Sequence, residues 1–246
     1  MKVVLNPEYS NLKEFAVHLP ETFEGHGEIV QARRNIIKSL NLDGLNLNIK
    51  RFRKPIFLNR IVYSFFRGTK ASKAYYNALK VIEKGFSTPA PVCYIEEYKC
   101  GLLGLSYFVS TQLSNVKEIR EYYYSKADND KALLSAFARY TAALHNGNIL
   151  HMDYSPGNIL ISDDNGEYNF SLVDINRMQF SEVDINKGCE NFCRLFEYDE
   201  AASFIAKEYA VTRGFDTDTC ISLVLKYKHD FERKKARKKR LKQIFK

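Results

Sequence analysis

The 246-residue chain has no tryptophan, three methionines and five cysteines, and it lacks any CxxC pair. An odd cysteine number without such spacing excludes a disulfide framework and a zinc knuckle as the basis of the fold. Cys93, Cys100, Cys189, Cys193 and Cys220 therefore read as reduced thiols of a cytosolic protein, with Cys189 and Cys193, four apart, on one helix face. Long apolar runs are missing too. The uncharged stretch Gly101–Val116 is interrupted by Gly, Ser, Thr, Gln and Asn and falls short of the ~18 apolar residues that a membrane-spanning helix needs. The opening MKVVLNPEYSNLKEF reaches Asn6, Pro7 and Glu8 before a signal-peptide core can form, so export is not expected. Twelve glycines and six prolines are too few for a collagen-like or low-complexity chain. What is present, 45% hydrophobic and 27% charged residues, suits one large domain or two lobes sharing a core.

The formal charge of +8 is local. Residues 226–246 hold eleven Lys/Arg against Asp230 and Glu232, whereas residues 1–225 hold 26 basic and 27 acidic side chains. The body is electrically ordinary and the basic character belongs to a C-terminal tail.

Texture changes once, near residue 111. Before it, Glu28–Lys38 and Leu45–Phe52 read as strands separated by the turn Asn41-Leu-Asp-Gly44, and LNLNIKRF alternates as a half-buried strand does. Ala71–Lys84 places Ala71, Ala74, Tyr75, Ala78, Leu79 and Ile82 at helical spacing, with Gly85 as a stop. Val92–Tyr98 and Leu103–Ser110 are further strands, joined through Gly101. Beyond residue 111 the pattern is mainly helical: Val116–Tyr124, Asp130–His145 with Asp130 as cap, Asp184–Phe196, Tyr198–Arg213, and Asp216 into the tail. Two strands, Ile159–Ser162 and Phe170–Val173, flank the turn Asp163-Asp-Asn-Gly166. The expected plan is a strand-rich first lobe with one helix, residues 1–110, a mainly helical second lobe, residues 111–225, and the basic tail, residues 226–246.

Chemistry concentrates in ILHMDYSPGNILI (Ile149–Ile161) followed by FSLVDIN (Phe170–Asn176). The pattern is His-x-Asp-(x)4-Asn, an apolar strand, a polar turn and a second apolar strand ending in Asp. Phosphoryl transfer to a hydroxyl needs a carboxylate beside the attacking oxygen, and oxygen ligands for the magnesium that spreads charge off the phosphates. Asp153 fits the first role; Asn158 and Asp174, spaced 5 and then 16 residues on, fit the second. His151 fits a structural hydrogen-bonding role, packing the loop against the Asp174 segment. Taken singly, Asp, Ser, Pro, Gly and Asn are ordinary loop residues, and it is the ordered set around a hairpin that carries the reading. Lys50, on a predicted strand 103 residues before Asp153, is the candidate cation for nucleotide phosphates. Gly25 and Gly27, in FEGHGEI between two expected strands, are the candidate phosphate-covering loop, with Val30 where a third glycine would complete the pattern.

Together the lobe order, the Lys50 strand, HMDYSPGNIL and LVDINRM resemble the protein-kinase-like superfamily, and more narrowly the lipopolysaccharide core kinases of the Kdo kinase and WaaP type. ARRNIIKS (Ala32–Ser39), KRFRKP (Lys50–Pro55) and GFSTPAPVCYIE (Gly85–Glu96) strengthen the narrower match, which covers roughly residues 20 to 200. The resemblance implies a two-lobed protein-kinase-like α+β fold with an antiparallel-sheet N-lobe. It implies Asp153 as general base, Asn158 and Asp174 as Mg2+ ligands, and Lys50 on the phosphates of ATP. Asp174-Ile-Asn176 stands where most protein kinases have Asp-Phe-Gly, no Ala-Pro-Glu follows, and the helix after Lys50 offers Tyr75, Tyr76 and Asn77 where a carboxylate partner for the lysine is expected. The partner of Lys50 is therefore unassigned.

The implied acceptor is a sugar hydroxyl, on Kdo or a heptose, of lipid-linked core oligosaccharide at the cytosolic face of the inner membrane. Acyl carrier protein is a further partner the family suggests. The tail interleaves Phe231, Leu241, Ile244 and Phe245 with cations, as a segment on an anionic bilayer would. Nucleic acid, which the same charges would attract nonspecifically, is not the expected partner. The alternatives are a kinase-like enzyme acting on protein or another small alcohol, and a noncatalytic pseudokinase that binds without transfer.

Overall fold

The computed structural model describes residues 1–65, 67–124 and 130–244 of the chain, with the side chains of Phe65 and Ile244 outside the description. It divides into two compact units, the first comprising Met1–Ser114 with Asp174–Arg177 and the second Asn115–Val173 with Met178–Lys246.

The first unit is built on one six-stranded antiparallel sheet of β1 (Lys2–Leu5), β2 (Glu28–Ala32), β3 (Ile36–Leu42), β4 (Leu45–Phe52), β5 (Pro91–Lys99) and β6 (Leu102–Thr111), in the order β1-β5-β6-β4-β3-β2. Two of its hairpins turn on two left-handed residues, Asp43-Gly44 and Cys100-Gly101, the conformation that matches the twist of paired strands. The single run expected over Glu28–Lys38 is two strands, because the chain reverses at Arg33–Asn35, where the Arg33 amide donates to the Asn35 carbonyl at 3.2 Å. Alternation along β4 sends Leu47 and Ile49 to one face, where they pack with Leu12, Ala16, Leu19 and Phe23. Lys50 and Phe52 therefore face the other side.

Three α-helices accompany this sheet rather than the one expected. Besides α3 (Lys70–Glu83) there are α1 (Lys13–Thr22) and α2 (Phe57–Phe65). Pro20 inside α1 and the Lys/Arg/Pro cluster before α2 mask their helical periods in sequence. Helix α3 packs on β5 and β6. Its N-terminus is capped by Thr69, whose hydroxyl accepts the Ser72 amide at 3.0 Å and donates to buried Glu96 at 2.6 Å. At its C-terminus Gly85, at φ +81°, lets the amides of Gly85 and Phe86 reach Ile82 and Val81 carbonyls.

The second unit contains β7 (Lys117–Glu118), a 3-10 turn at Ile119–Tyr122, α4 (Lys131–Asn146), β8 (Leu150–His151), β9 (Ile159–Asp164), β10 (Glu167–Leu172), β11 (Met178–Gln179), α5 (Ile185–Asn191), α6 (Asp199–Arg213) and α7 (Thr217–Ile244). The helix expected over Val116–Tyr124 is thus a short strand, paired with β9, and a 3-10 turn. Asp130 precedes α4 but makes no side-chain capping bond. Helix α5 stops at Asn191, so Cys193 lies outside it; the thiol of Cys189 instead meets that of Cys220 on α7. The core centres on Phe137, whose ring lies 5.5 to 6.5 Å from those of Tyr154, Phe170, Phe192 and Phe196.

No break in α7 marks the start of a tail at residue 226. Lys228 is buried and pairs with Asp199 at 2.8 Å and Glu232 at 2.7 Å. Continuous exposure begins at Glu232, and residues 233–243 carry eight Lys/Arg and no acid. Phe245 lies outside the described residues. Among those described, no helix is long and apolar enough to cross a membrane.

Candidate active site

In the first unit, β4 presents Lys50, and its ammonium meets Asp174 Oδ1 at 2.6 Å. Asp174 was singled out as a metal ligand, and it also answers what partners the strand lysine. The reason is visible on α3: its residues facing this region include Lys70 and Asn77, and no carboxylate takes the lysine. Asn77 Nδ2 donates to the Ile175 carbonyl at 2.7 Å, and Asn176 Nδ2 to Asp174 Oδ1 at 2.5 Å. Asp174 itself adopts φ +55°, a left-handed conformation that Asp tolerates better than most residues and that these bonds hold in place.

Lys70, in the first turn of α3, interacts electrostatically with Arg34, Arg177, Asp174 and Lys50. Burial, with Arg34 and Arg177 as like-charged neighbours, holds its ammonium below the usual lysine range, against the pull of Asp174.

Gly25 and Gly27 do not lie in a turn between two strands. They join α1 to β2, and the turn between β2 and β3 is the glycine-free Arg33-Arg34-Asn35. The glycines serve a different contact. Buried Lys38 donates to the carbonyls of Phe23, Glu24 and His26 at 2.6, 2.9 and 3.0 Å. Gly27 closes the turn at φ +75°, where a Cβ would stand 2.7 Å from the Ser39 carbonyl oxygen. The segment is fixed by its carbonyls against a lysine.

In the second unit, the loop after β8 carries Asp153 and Asn158. His151 is buried; its Nδ1 accepts the Asp153 amide at 3.1 Å, which leaves Nε2 as the donor to the Val173 carbonyl at 3.0 Å. The imidazole is thus neutral and structural, tying the loop to the residue before Asp174. Asn158 Nδ2 donates to the Asp153 carbonyl at 2.8 Å, and the Asn158 carbonyl accepts the Val173 amide at 3.0 Å. With its nitrogen committed to the loop, the amide oxygen is what Asn158 offers a cation.

The Asp153 carboxylate is held by Arg194, Nη2 to Oδ1 at 2.8 Å, and the guanidinium lies 5.7 Å from the Phe231 ring of α7. Asn191 Nδ2 donates to the His151 carbonyl at 3.1 Å and Asn191 Oδ1 accepts from His145 Nε2 at 3.3 Å. Arg194 and Asn191 were missed from sequence: each lies about 40 residues from its partner, in a segment without a local pattern. Lys50 and Asp174 are brought together in one unit, and His151, Asp153 and Asn158 in the other.

Asp174 in the first unit and the Asn158 amide oxygen in the second are each hard oxygen donors of the kind Mg2+ takes, and Mg2+ is ordinarily held by one or two side chains together with substrate phosphates. Among the described residues no group of three or more His, Cys, Asp or Glu could hold a metal by itself, which such a site does not require.

Comparison with solved structures gives the class first. "WaaP in complex with acyl carrier protein" matches with TM-score 0.64 at 15% identity, over 95% of this chain and 98% of that one. This chain has that kinase-like fold. Two structures of WbdD also match: a co-crystal structure with the kinase inhibitor LY294002 (TM-score 0.44, 16% identity, 80% of this chain and 44% of that one) and a 2.2 Å crystal structure (0.47, 15%, 82% and 45%). No curated protein matches the sequence. The model of the lipopolysaccharide kinase (Kdo/WaaP) family matches residues 24–211, and the chain belongs to that family.

Proposed function

We propose that the protein transfers the γ-phosphate of ATP to a hydroxyl of Kdo or a heptose in the inner core of lipopolysaccharide. The observation that carries the reading is the ion pair of Lys50 with Asp174 at 2.6 Å, a strand lysine and a post-hairpin carboxylate joined across 124 residues of sequence. Lys50 takes the phosphates, and Asp174 and the Asn158 amide oxygen would each offer magnesium an oxygen. Magnesium, when bound with the nucleotide, withdraws charge from the phosphate oxygens. Asp153, oriented by Arg194, accepts the proton of the acceptor hydroxyl as its oxygen bonds to the γ-phosphorus and the bond to the ADP oxygen breaks. His151 and Asn158 keep the loop in register and take no proton. The cationic end of α7 suits contact with an anionic inner-membrane surface. The solved WaaP was in complex with acyl carrier protein, and the same helix end is the surface we assign to such a partner here.

The test is incubation with labelled ATP and Kdo-lipid A, followed by separation of glycolipid from protein. Label is expected in the glycolipid. Asp153→Asn should retain nucleotide binding and lower transfer by about 10²–10⁴-fold, the usual worth of a general base. Asp174→Ala should lose magnesium-dependent nucleotide binding. Label in protein alone, or equal turnover by Asp153→Asn and wild type, refutes the assignment.

A further inference from the structure

The first unit contains a second feature that phosphoryl transfer chemistry does not use. A cavity of about 270 Å³ opens between the Arg33–Asn35 turn, the end of β4 and the starts of α2 and α3. Four of its lining residues are cations, Arg34, Arg53, Lys54 and Lys70, and none is an acid. Like charges converge on a wall only at an electrostatic cost, and Lys70 registers it: burial and the neighbouring Arg34 and Arg177 disfavour its charged form. An anion in the cavity would reverse the sign of that interaction.

Beside the cations stands an apolar rim. Ile56, which lines the cavity, and Phe57 and Leu58, which open α2, are 70%, 63% and 71% exposed. Three consecutive large apolar side chains this exposed mark a contact surface rather than scattered surface residues. Cations with an adjoining apolar patch match an anionic headgroup joined to acyl chains.

We propose that this cavity is the acceptor subsite, in which Arg34 and Lys70 hold a carboxylate or phosphate of the glycolipid while Ile56, Phe57 and Leu58 lie against its acyl chains. This rests on the reading of the protein as a glycolipid kinase and adds the residues that select the acceptor. Arg34 sits in the turn where a phosphate-covering loop would be glycine-rich, and Lys70 is held in position by the Thr69–Glu96 cap.

Equilibrium binding without nucleotide separates this from the catalytic assignment. The probes are Kdo-lipid A in detergent micelles, its deacylated water-soluble sugar, and Mg-ATP. Arg34→Gln and Lys70→Gln should each weaken both sugar probes about tenfold, the loss of one charge-assisted contact, and weaken Mg-ATP by less. Lys70→Arg should restore binding. Leu58→Ser should weaken the acylated probe alone. A protein that binds the glycolipid in this pattern but transfers no phosphate refutes the kinase reading and leaves the subsite standing. Weakened Mg-ATP with unchanged glycolipid affinity would assign the cavity to the nucleotide and overturn the proposal. So would equal losses in Lys70→Arg and Lys70→Gln, which would reduce the lysine to packing.

Discussion

Acidification should unfasten the loop that carries Asp153, and His145 is the group that senses it. His145 is buried in α4 between Tyr209, whose hydroxyl lies 2.9 Å from Nδ1, and Asn191 on Nε2. Arg213 donates to the same Tyr209 oxygen at 3.3 Å. The hydroxyl therefore gives its proton to Nδ1, and a protonated imidazole would present a second donor to an oxygen already facing a guanidinium. Burial first, and then the Arg213 charge, push the imidazole down from 6.5 to about 4, with the Asn191 bond opposing. The unfolded chain thus binds more protons between those values. The contribution is complete above pH 6.5, falls as pH drops to about 4, and below that is lost. At 1.36 kcal/mol per pKa unit the window is worth about 3 kcal/mol, a large share of the ~5–15 kcal/mol that holds a domain together. The assay is urea unfolding of wild type and His145→Gln from pH 4 to 7.5, because carboxylate titrations common to both cancel in the difference. The difference should change by about 3 kcal/mol over that range, and kinase activity should fall with it, since Asn191 links His145 to the His151 carbonyl. Parallel stability profiles for the two proteins would refute the argument.

Two further outcomes follow from single contacts. Arg194→Gln should lower kcat about tenfold while the KM for ATP holds, because it frees the Asp153 carboxylate from a bond at 2.8 Å without touching Lys50 or Asp174; an altered KM for ATP with normal kcat would contradict this. Gly188→Ala should cost about 1–3 kcal/mol in urea unfolding, since its Cβ would stand 2.1 Å from the buried Tyr209 hydroxyl; an unchanged midpoint would show that Tyr209 yields.

Much of the sheet was legible because strand alternation and Asp-Gly or Asn-Gly turns are local signals. The β4 pattern LNLNIKRF gave its bounds, Leu45–Phe52, and placed Lys50 on it. Helix α3 was legible for the same reason, its apolar spacing ending at a left-handed glycine. Elements defined by tertiary contact were not. Val116–Tyr124 was expected as a helix, yet Lys117 and Glu118 pair with β9, and the segment is a short strand and a turn. The expected place of the candidate phosphate loop between two strands failed in a more instructive way. Two glycines in FEGHGEI look like a cradle, but the carbonyls there bind Lys38, fifteen residues on, and nothing local announces that lysine's burial. Arg34 of the β2–β3 turn was visible in ARRNIIKS, but only the fold shows that it interacts with Lys70.

Lys50 has a carboxylate partner without one from α3. A strand lysine needs a partner that holds its ammonium toward the phosphates, and a helix carboxylate is one solution. Here the helix brings Lys70 to the same region and offers Asn77, not an acid, to the Asp174 segment. Lys50 instead meets Asp174 directly, and Asn77 and Asn176 anchor the backbone and carboxylate of that segment. The pair is neutral as a unit. Under the proposed function, Lys50 would take a nucleotide phosphate and Asp174 would hold magnesium, so neither charge would be left uncompensated.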